Sequence, residues 1–145
     1  MKVLITGGNT GIGKATAEEF LKRGYEVYIV YLNGNPLKKC KCIQADVTKD
    51  IDKIKKFAGK VDVLVNNAAF MKHTTLKTLN LEHWRKTFEV NLFAVYELMK
   101  NIKAKSIVNI ASIRGIKPSP HDMDYSASKA AVINLTQVMA QELAP

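Results

Sequence analysis

Sulfur chemistry has little to work with here, since the 145 residues contain only two cysteines, Cys40 and Cys42. Two residues apart in an expected strand, they point to the same face, which suits a disulfide poorly, and no further zinc ligands accompany them. Buried or half-buried thiols are expected instead. Also missing is any apolar run near the ~18 residues of a membrane span. Met1-Lys2-Val3-Leu4-Ile5 begins a strand pattern at once, which leaves no room for a signal peptide. A cytoplasmic protein is therefore expected. Internal repeats, linkers and low-complexity stretches are absent, and the length suits one domain over residues 1–145.

Positive charge is in excess, with 22 Lys and Arg against 13 Asp and Glu, a formal net charge of +9. Such an excess invites a nucleic-acid reading. The basic residues are scattered, however: Lys22-Arg23, Lys38-Lys39, Lys55-Lys56 and Lys103/Lys105 fall near expected helix ends or loops. There they complement helix dipoles and keep the surface solvated. No stacking motif or recognition helix accompanies them, so no nucleic-acid partner is expected. A phosphate-bearing cofactor is a better use of the charge.

Strand and helix alternate along the chain. Strands are expected at Lys2–Thr6, Tyr25–Tyr31, Lys41–Ala45, Val61–Asn66 and Ser106–Ala111, the last of them buried. Helices are expected at Gly11–Arg23, closed by Gly24, and at Ile51–Phe57, ended by Gly59. A long helix capped by Asn80 runs to about Ile102, and a last one covers Asp124–Leu143. Continuous apolar strands separated by helices predict an α/β fold, a doubly wound parallel sheet of about five strands in a three-layer α/β/α arrangement.

Three places carry chemistry. The first strand runs into Thr6-Gly7-Gly8-Asn9-Thr10-Gly11-Ile12-Gly13 just before a helix. Glycines there allow a tight turn and close backbone approach to a diphosphate, while the helix N-terminus offers free N–H groups and a positive dipole. Next, Tyr125 and Lys129 stand one helical turn apart, either as a solvated surface pair or as a site in which the ammonium favours phenolate and fits the phenol for proton transfer. Thirteen residues before Tyr125, Ser112 follows the last strand, where doubly wound sheets bind ligands, although a turn cap is the plainer role for a serine there. Finally, Asn91 interrupts an apolar stripe of Trp84, Phe88, Val95, Leu98 and Ile102. A buried amide must be hydrogen-bonded, either as a brace between strands or as part of a proton relay.

The Gly-x-x-x-Gly-x-Gly spacing preceded by Thr6 resembles the short-chain dehydrogenase/reductase family. Asn66-Asn67-Ala68-Ala69, Asn91, Ser112, Tyr125 and Lys129 match in order that family's Asn-Asn-Ala motif and its Asn–Ser–Tyr–Lys tetrad. The resemblance implies a Rossmann-like domain and an NAD(P)-dependent oxidoreductase acting on a carbonyl or secondary alcohol. It makes Tyr125 the general acid/base and has Lys129 lower its pKa and hold the nicotinamide ribose. Ser112 polarises the substrate oxygen, and Asn91 holds a water linking Lys129 to solvent. It also assigns cofactor contacts to Thr6, Gly7, Asn9, Thr10, Gly11, Ile12, Gly13, Tyr31, Asp46, Val47, Asn67 and Ala68, with Asp46 beside the adenine unless it caps a helix.

Departures from that family are equally legible. Only Pro36–Cys40 fills the place of a helix between the second and third strands, and the family's later strands and substrate loop have no counterpart before Pro145. A truncated chain is therefore expected, its Ser112 strand left as an exposed edge, and a dinucleotide-binding module without turnover is the alternative. The second strand ends Val30-Tyr31-Leu32-Asn33-Gly34-Asn35 with no carboxylate to repel a 2′-phosphate. With Lys14, Lys38 and Lys39 nearby, NADP is expected over NAD. Second apolar faces at Leu81, Phe93 and Tyr96, and at Ala127, Ala131, Leu135 and Val138, suit the homodimer or homotetramer through two long helices that the resemblance implies. The substrate stays open; His73, Arg114, His121 and Met123 lie in loops where each either borders its pocket or faces solvent.

Overall fold

The computed structural model describes residues 1–144, so only Pro145 of the expected domain lies outside the described residues. Contacts cluster into two compact units, one comprising Met1–Ala68 and Glu97–Ile110, the other Ala69–Tyr96 and the chain from Ala111.

The first unit holds the sheet. Its strands are β1 (Lys2–Thr6), β2 (Glu26–Tyr31), β3 (Lys41–Gln44), β4 (Val61–Asn66) and β5 (Ala104–Asn109). All neighbours are parallel, in the order β3-β2-β1-β4-β5. Val3, Leu4 and Ile5 of β1 and Val27, Ile29 and Val30 of β2 are buried, as continuous apolar runs covered on both faces should be. Successive strands step outward from β1 through β2 to β3, then return to its other side at β4. That reversal makes the β1/β4 junction the switch point where doubly wound sheets bind ligands. The architecture is the expected α/β parallel sheet. Helix α1 (Gly11–Lys22) connects β1 to β2 and packs Ala17, Phe20 and Leu21 on a cluster containing Val3, Ile5, Val27 and Ile29. It stops at Gly24, whose φ of 78° an L side chain would resist. Helix α2 (Ile51–Ala58) precedes β4, and no helix joins β2 to β3.

Two expectations need correcting in this unit. The last strand covers Ala104–Asn109 rather than Ser106–Ala111, and it is not buried: Lys105, Ser106 and Val108 are exposed. Among the described residues it is bonded to β4 alone, so one edge is without the neighbour that full burial requires. Cys40 lies outside β3, in the turn before it, while Cys42 lies within; both are half-buried free thiols.

In the second unit, α3 (Leu81–Phe88) begins at Asn80, whose Oδ1 accepts a 2.9 Å bond from the His83 amide, the expected cap. A π-helical turn over Glu89–Phe93 comes next, then α4 (Ala94–Asn101), whose residues from Glu97 onward belong to the first unit, so the expected long helix is interrupted. A short 3₁₀ helix (Ile113–Gly115) and α5 (Met123–Glu142) complete the unit, and α5 packs on α3, on the π turn and on the 3₁₀ helix. Beyond the π turn the expected stripe is buried at Val95, Leu98 and Ile102, but before it the fully buried residue is Thr87, while Trp84 and Phe88 are half-buried. Two causes act together: the π turn shifts the helical phase, and the Thr87 hydroxyl donates 2.5 Å to the buried Asp124 carboxylate of α5.

Candidate active site

In the first unit, the glycine-rich turn sits at the end of β1 and is braced from β4. The Thr6 side chain is buried, and its hydroxyl accepts from the amides of Asn67 (3.1 Å) and Ala68 (3.0 Å). Asn67 returns its side-chain amide to the carbonyls of Thr6 (3.0 Å) and Gly7 (3.1 Å). Gly7 itself donates to the Val30 carbonyl of β2 at 2.7 Å. A Cβ at Gly13 would stand 2.3 Å from the Gly7 oxygen, which explains why the first turn of α1 admits no side chain there. Asn9 donates to the carbonyl of Asn33 (2.8 Å) and ties the turn to the loop after β2. Thr10 is the N-cap of α1, but its side chain makes no capping bond, and Gly11 faces open space.

These features fit the diphosphate of a dinucleotide: uncommitted N–H groups at a twelve-residue helix, a glycine cradle and a free hydroxyl. Ile12 is exposed beside them, Tyr31 ends β2 and Val47 is buried after β3. Asp46 is no cap of α2. Its Oδ1 instead accepts from the amide (2.9 Å) and hydroxyl (2.7 Å) of Thr48, a local turn that shapes the segment after β3.

The tetrad residues all belong to the second unit. Asn91, fully buried at the centre of the π turn, accepts at Oδ1 from the Phe70 amide (2.7 Å). Its Nδ2 donates to the Phe70 carbonyl (2.9 Å) and to Ser128 Oγ (3.0 Å). The amide is thus a brace, though between a loop and a helix rather than between two strands. Ser128 in turn donates to the Tyr125 carbonyl at 2.8 Å, tying the brace to the helical turn that carries Tyr125 and Lys129.

Lys129 Nζ lies 5.7 Å from the centroid of the Tyr125 ring. The lysine is only 3% exposed, and burial pushes its ammonium below the usual lysine value. Ser112 is half-buried, and its hydroxyl accepts from the Arg114 amide at 3.2 Å, so the plain role of turn cap is present. The 3₁₀ helix it caps rests against α5 at Gly115, where a Cβ would come within 2.8 Å of the Lys129 carbonyl carbon.

Gly115, Ser128 and the Thr87–Asp124 pair are contributors that the sequence reading missed. Ser128 lies inside the Tyr125–Lys129 segment on the buried side. Gly115 carried a signal in its place three residues after Ser112. Among the loop residues, His73, Arg114 and His121 do line one cleft, whereas Met123 opens α5.

Comparison with known proteins bears on the family and the fold. The model of the short chain dehydrogenase family matches residues 1–145. A 3-oxoacyl-acyl-carrier-protein reductase of Synechocystis sp. is 32% identical, with 97% of this chain and 67% of that protein covered. The ligand-free aldohexose dehydrogenase of Thermoplasma acidophilum superposes with a TM-score of 0.89 at 34% identity, covering 99% of this chain and 62% of that one. A 4-hydroxyisoleucine dehydrogenase complexed with NADH gives 0.84 at 32% identity, covering 97% and 68% respectively. The chain therefore spans roughly two thirds of the length of the proteins it matches.

Proposed function

The chain belongs to the short-chain dehydrogenase family, and on that premise we propose that it is an NAD(P)-dependent oxidoreductase acting on a carbonyl/secondary-alcohol pair. When bound, the nicotinamide supplies or accepts the hydride. The chain's own part is to move the proton. Tyr125 acts as general acid in reduction and general base in oxidation, and Ser112 donates to the substrate oxygen. Lys129 stabilises the phenolate by its charge and holds the nicotinamide ribose. The observation that carries this reading is the buried Lys129 ammonium beside the Tyr125 ring on one helix.

The side chain of Asn91 is committed to Phe70 and Ser128, so the relay water is held by the backbone of the π turn around Asn91. Tyr125→Phe should lose at least ~10²-fold in kcat while cofactor affinity changes little. Near-normal turnover in that variant would remove Tyr125 from the chemistry. Because the chain covers only part of its relatives' length, a cofactor-binding module without turnover is the second reading; a turnover assay against ketones and secondary alcohols separates the two.

NADP is the proposed cofactor. The segment after β2 is free of carboxylates, and Lys14, exposed beside Glu18 at 3.9 Å, stands just past the glycine turn. A lysine contact to the 2′-phosphate should contribute about 1–3 kcal/mol, roughly ten- to a hundredfold in affinity. Tighter calorimetric binding of NADH than NADPH at both low and moderate salt would reverse the preference. Assembly into a homodimer or homotetramer is proposed through the long-helix faces, where Phe93, Tyr96 and Val138 are 48%, 38% and 54% exposed. Sedimentation at micromolar concentration checks this, and monomer alone would refute it. Among the described residues no helix is long and apolar enough to cross a membrane; a cytoplasmic site of action is part of the proposal.

A further inference from the structure

The parallel sheet gathers charges that lie far apart in the sequence. Strands that all run one way begin at one end, and four of the five here begin on or just after a lysine. Lys2 opens β1, Lys41 opens β3, Lys60 precedes β4 and Lys103 precedes β5, with Lys105 close behind it. Lys2 is half-buried and the other four are exposed. With neighbouring strands ~4.8 Å apart, these lysines share an edge about 20 Å long.

The helices of this unit bring the same sign to that end. Helix α1 runs away from the glycine turn and finishes at Lys22 and Arg23, and α2 finishes with Lys55 and Lys56 in its last turn. They cover opposite faces of the sheet. Ala17 and Phe20 of α1 pack on Val27 and Ile29, whereas Phe57 of α2 meets Tyr28, which points the other way from β2. The cations therefore spread over all three layers, a patch about 20 Å across in both directions rather than a single row.

Local carboxylates do not neutralise this patch. Glu19 is shared by Lys22 and Arg23, and Glu26 is bonded by Lys41. Asp62 receives Lys105 Nζ at 2.6 Å and the Lys2 amide at 2.7 Å. Among the described residues no carboxylate pairs with Lys60 or Lys103, and the Lys2 ammonium rests 4.0 Å from the centroid of the Tyr28 ring. Helix C-termini lend partial negative charge, which eases the crowding of lysines without cancelling their outward field.

We infer that this end of the sheet unit docks on a planar anionic surface, the headgroup layer of an acidic lipid bilayer. Lysine carries a compact charge without the fork by which arginine grips one particular phosphate or carboxylate, which suits an undirected layer of headgroups. A nucleic-acid duplex is a rod and would leave much of a patch spread over three layers unused. A protein partner would be anchored by large aromatic or aliphatic side chains, and Met1 is the one large apolar residue exposed at this end among those described. Attachment by charge needs no spanning helix. The glycine turn, at the other end of β1, faces away from the bilayer.

The test is cosedimentation of the whole chain with vesicles of phosphatidylcholine alone, and of phosphatidylcholine with about one third phosphatidylserine, at ~0.1 M and ~1 M salt. The chain should pellet with the acidic vesicles, stay in solution with the neutral ones, and be released at the higher salt. Lys60→Gln with Lys103→Gln should weaken acidic-vesicle binding about 25-fold, at about fivefold per lysine. Lys49→Gln with Lys53→Gln removes the same charge at the other end of the sheet unit and should change binding less than about twofold. All four lysines are exposed, so both variants should keep the parent's thermal melt. Binding to neutral vesicles as tight as to acidic ones, an equal loss in the two double variants, or no binding to acidic vesicles at the lower salt would each overturn the assignment. Tighter binding to duplex DNA or to poly-glutamate than to acidic vesicles, at the same salt, would also overturn it and give the patch to a nucleic acid or an acidic protein.

Discussion

The two units solve opposite problems. Of the buried apolar residues among those described, 18 belong to the sheet unit and three to the unit that carries Tyr125. Buried polar and charged residues divide the other way, two against eight. The sheet unit gains stability from burying hydrocarbon and presents its proposed cofactor contacts largely as backbone, at a turn where a side chain would collide. The other unit holds Asn91, Asp122, Asp124, Ser128 and Lys129 out of water, an arrangement that costs stability unless each finds partners. Precision in the first comes from glycine and sheet register, and in the second from hydrogen bonds among polar side chains.

Crowding the glycine turn should break the sheet unit's half of this contrast most severely. A Cβ at Gly13 would meet the Gly7 oxygen at 2.3 Å and the Asn67 Nδ2 at 2.5 Å, so both turn and brace must shift. Gly13→Ala should cost ~1–3 kcal/mol or more as overpacking, and nucleotide binding should fall below detection. Cofactor fluorescence titration and a thermal melt check both effects. Unchanged binding would show that the turn is no phosphate cradle. The matching change in the other unit, Gly115→Ala, drives a Cβ against the α5 backbone at Lys129 and Ala130 and should destabilise similarly while sparing nucleotide affinity.

The next effect, on stability without loss of nucleotide binding, sharpens the polar side of the comparison. Asn91→Leu nearly conserves volume but strands the Phe70 amide and carbonyl, which the asparagine alone is seen to satisfy at 2.7 and 2.9 Å. Each unsatisfied group costs on the order of 1–3 kcal/mol. At roughly 2–4 °C per kcal/mol for a chain of this size, the melting temperature should drop by about 4–24 °C. A shift under ~1 °C would mean that solvent replaces the amide, and that Asn91 serves the proton path rather than the fold.

The same contrast explains what could be read without a structure. Apolar runs such as Val27–Tyr31 and Val61–Asn66 announced the parallel sheet because a strand covered on both faces has one dominant demand, hydrocarbon. Glycine at positions 7, 11 and 13 was legible because sterics leave few alternatives. Polar burial is harder to read. Nothing local announces that Thr87, between two aromatics, is buried, or that Asp124, 37 positions later, will accept its hydrogen bond at 2.5 Å. The π turn is invisible for the same reason: one extra residue in a helical turn leaves the apolar spacing intact while rotating the residues beyond it. Asn91 was found because an amide in an apolar stripe violates its surroundings. Its partners, Phe70 and Ser128, depend on tertiary packing. The edge position of β5 was legible only through the family resemblance, since by its own residues an apolar strand reads as buried whether or not its outer neighbour is present.

The smallest effect concerns the buried ammonium, and its sign distinguishes a functional cost from a structural gain. Burial lowers the pKa of Lys129 in the folded protein below its unfolded value of ~10.4. Below the folded value both states are protonated, and the native state carries the full cost of burying the charge. As pH rises between the two values, the folded lysine releases its proton while the unfolded one keeps it. The unfolded state then binds more protons, so stability rises with pH across that window and levels off above it. Lys129→Met keeps the hydrocarbon length and removes the charge. The stability of the variant relative to the parent should be greatest at pH 7 and should fall as pH climbs toward ~10. Turnover should fall at every pH if the ammonium supports Tyr125. Circular-dichroism melts of both proteins from pH 7 to 10 measure the difference. A variant less stable than the parent at pH 7, by a margin constant with pH, would show that contacts of Lys129 outweigh the cost of its burial, and that this lysine belongs with Asn91 among the braces.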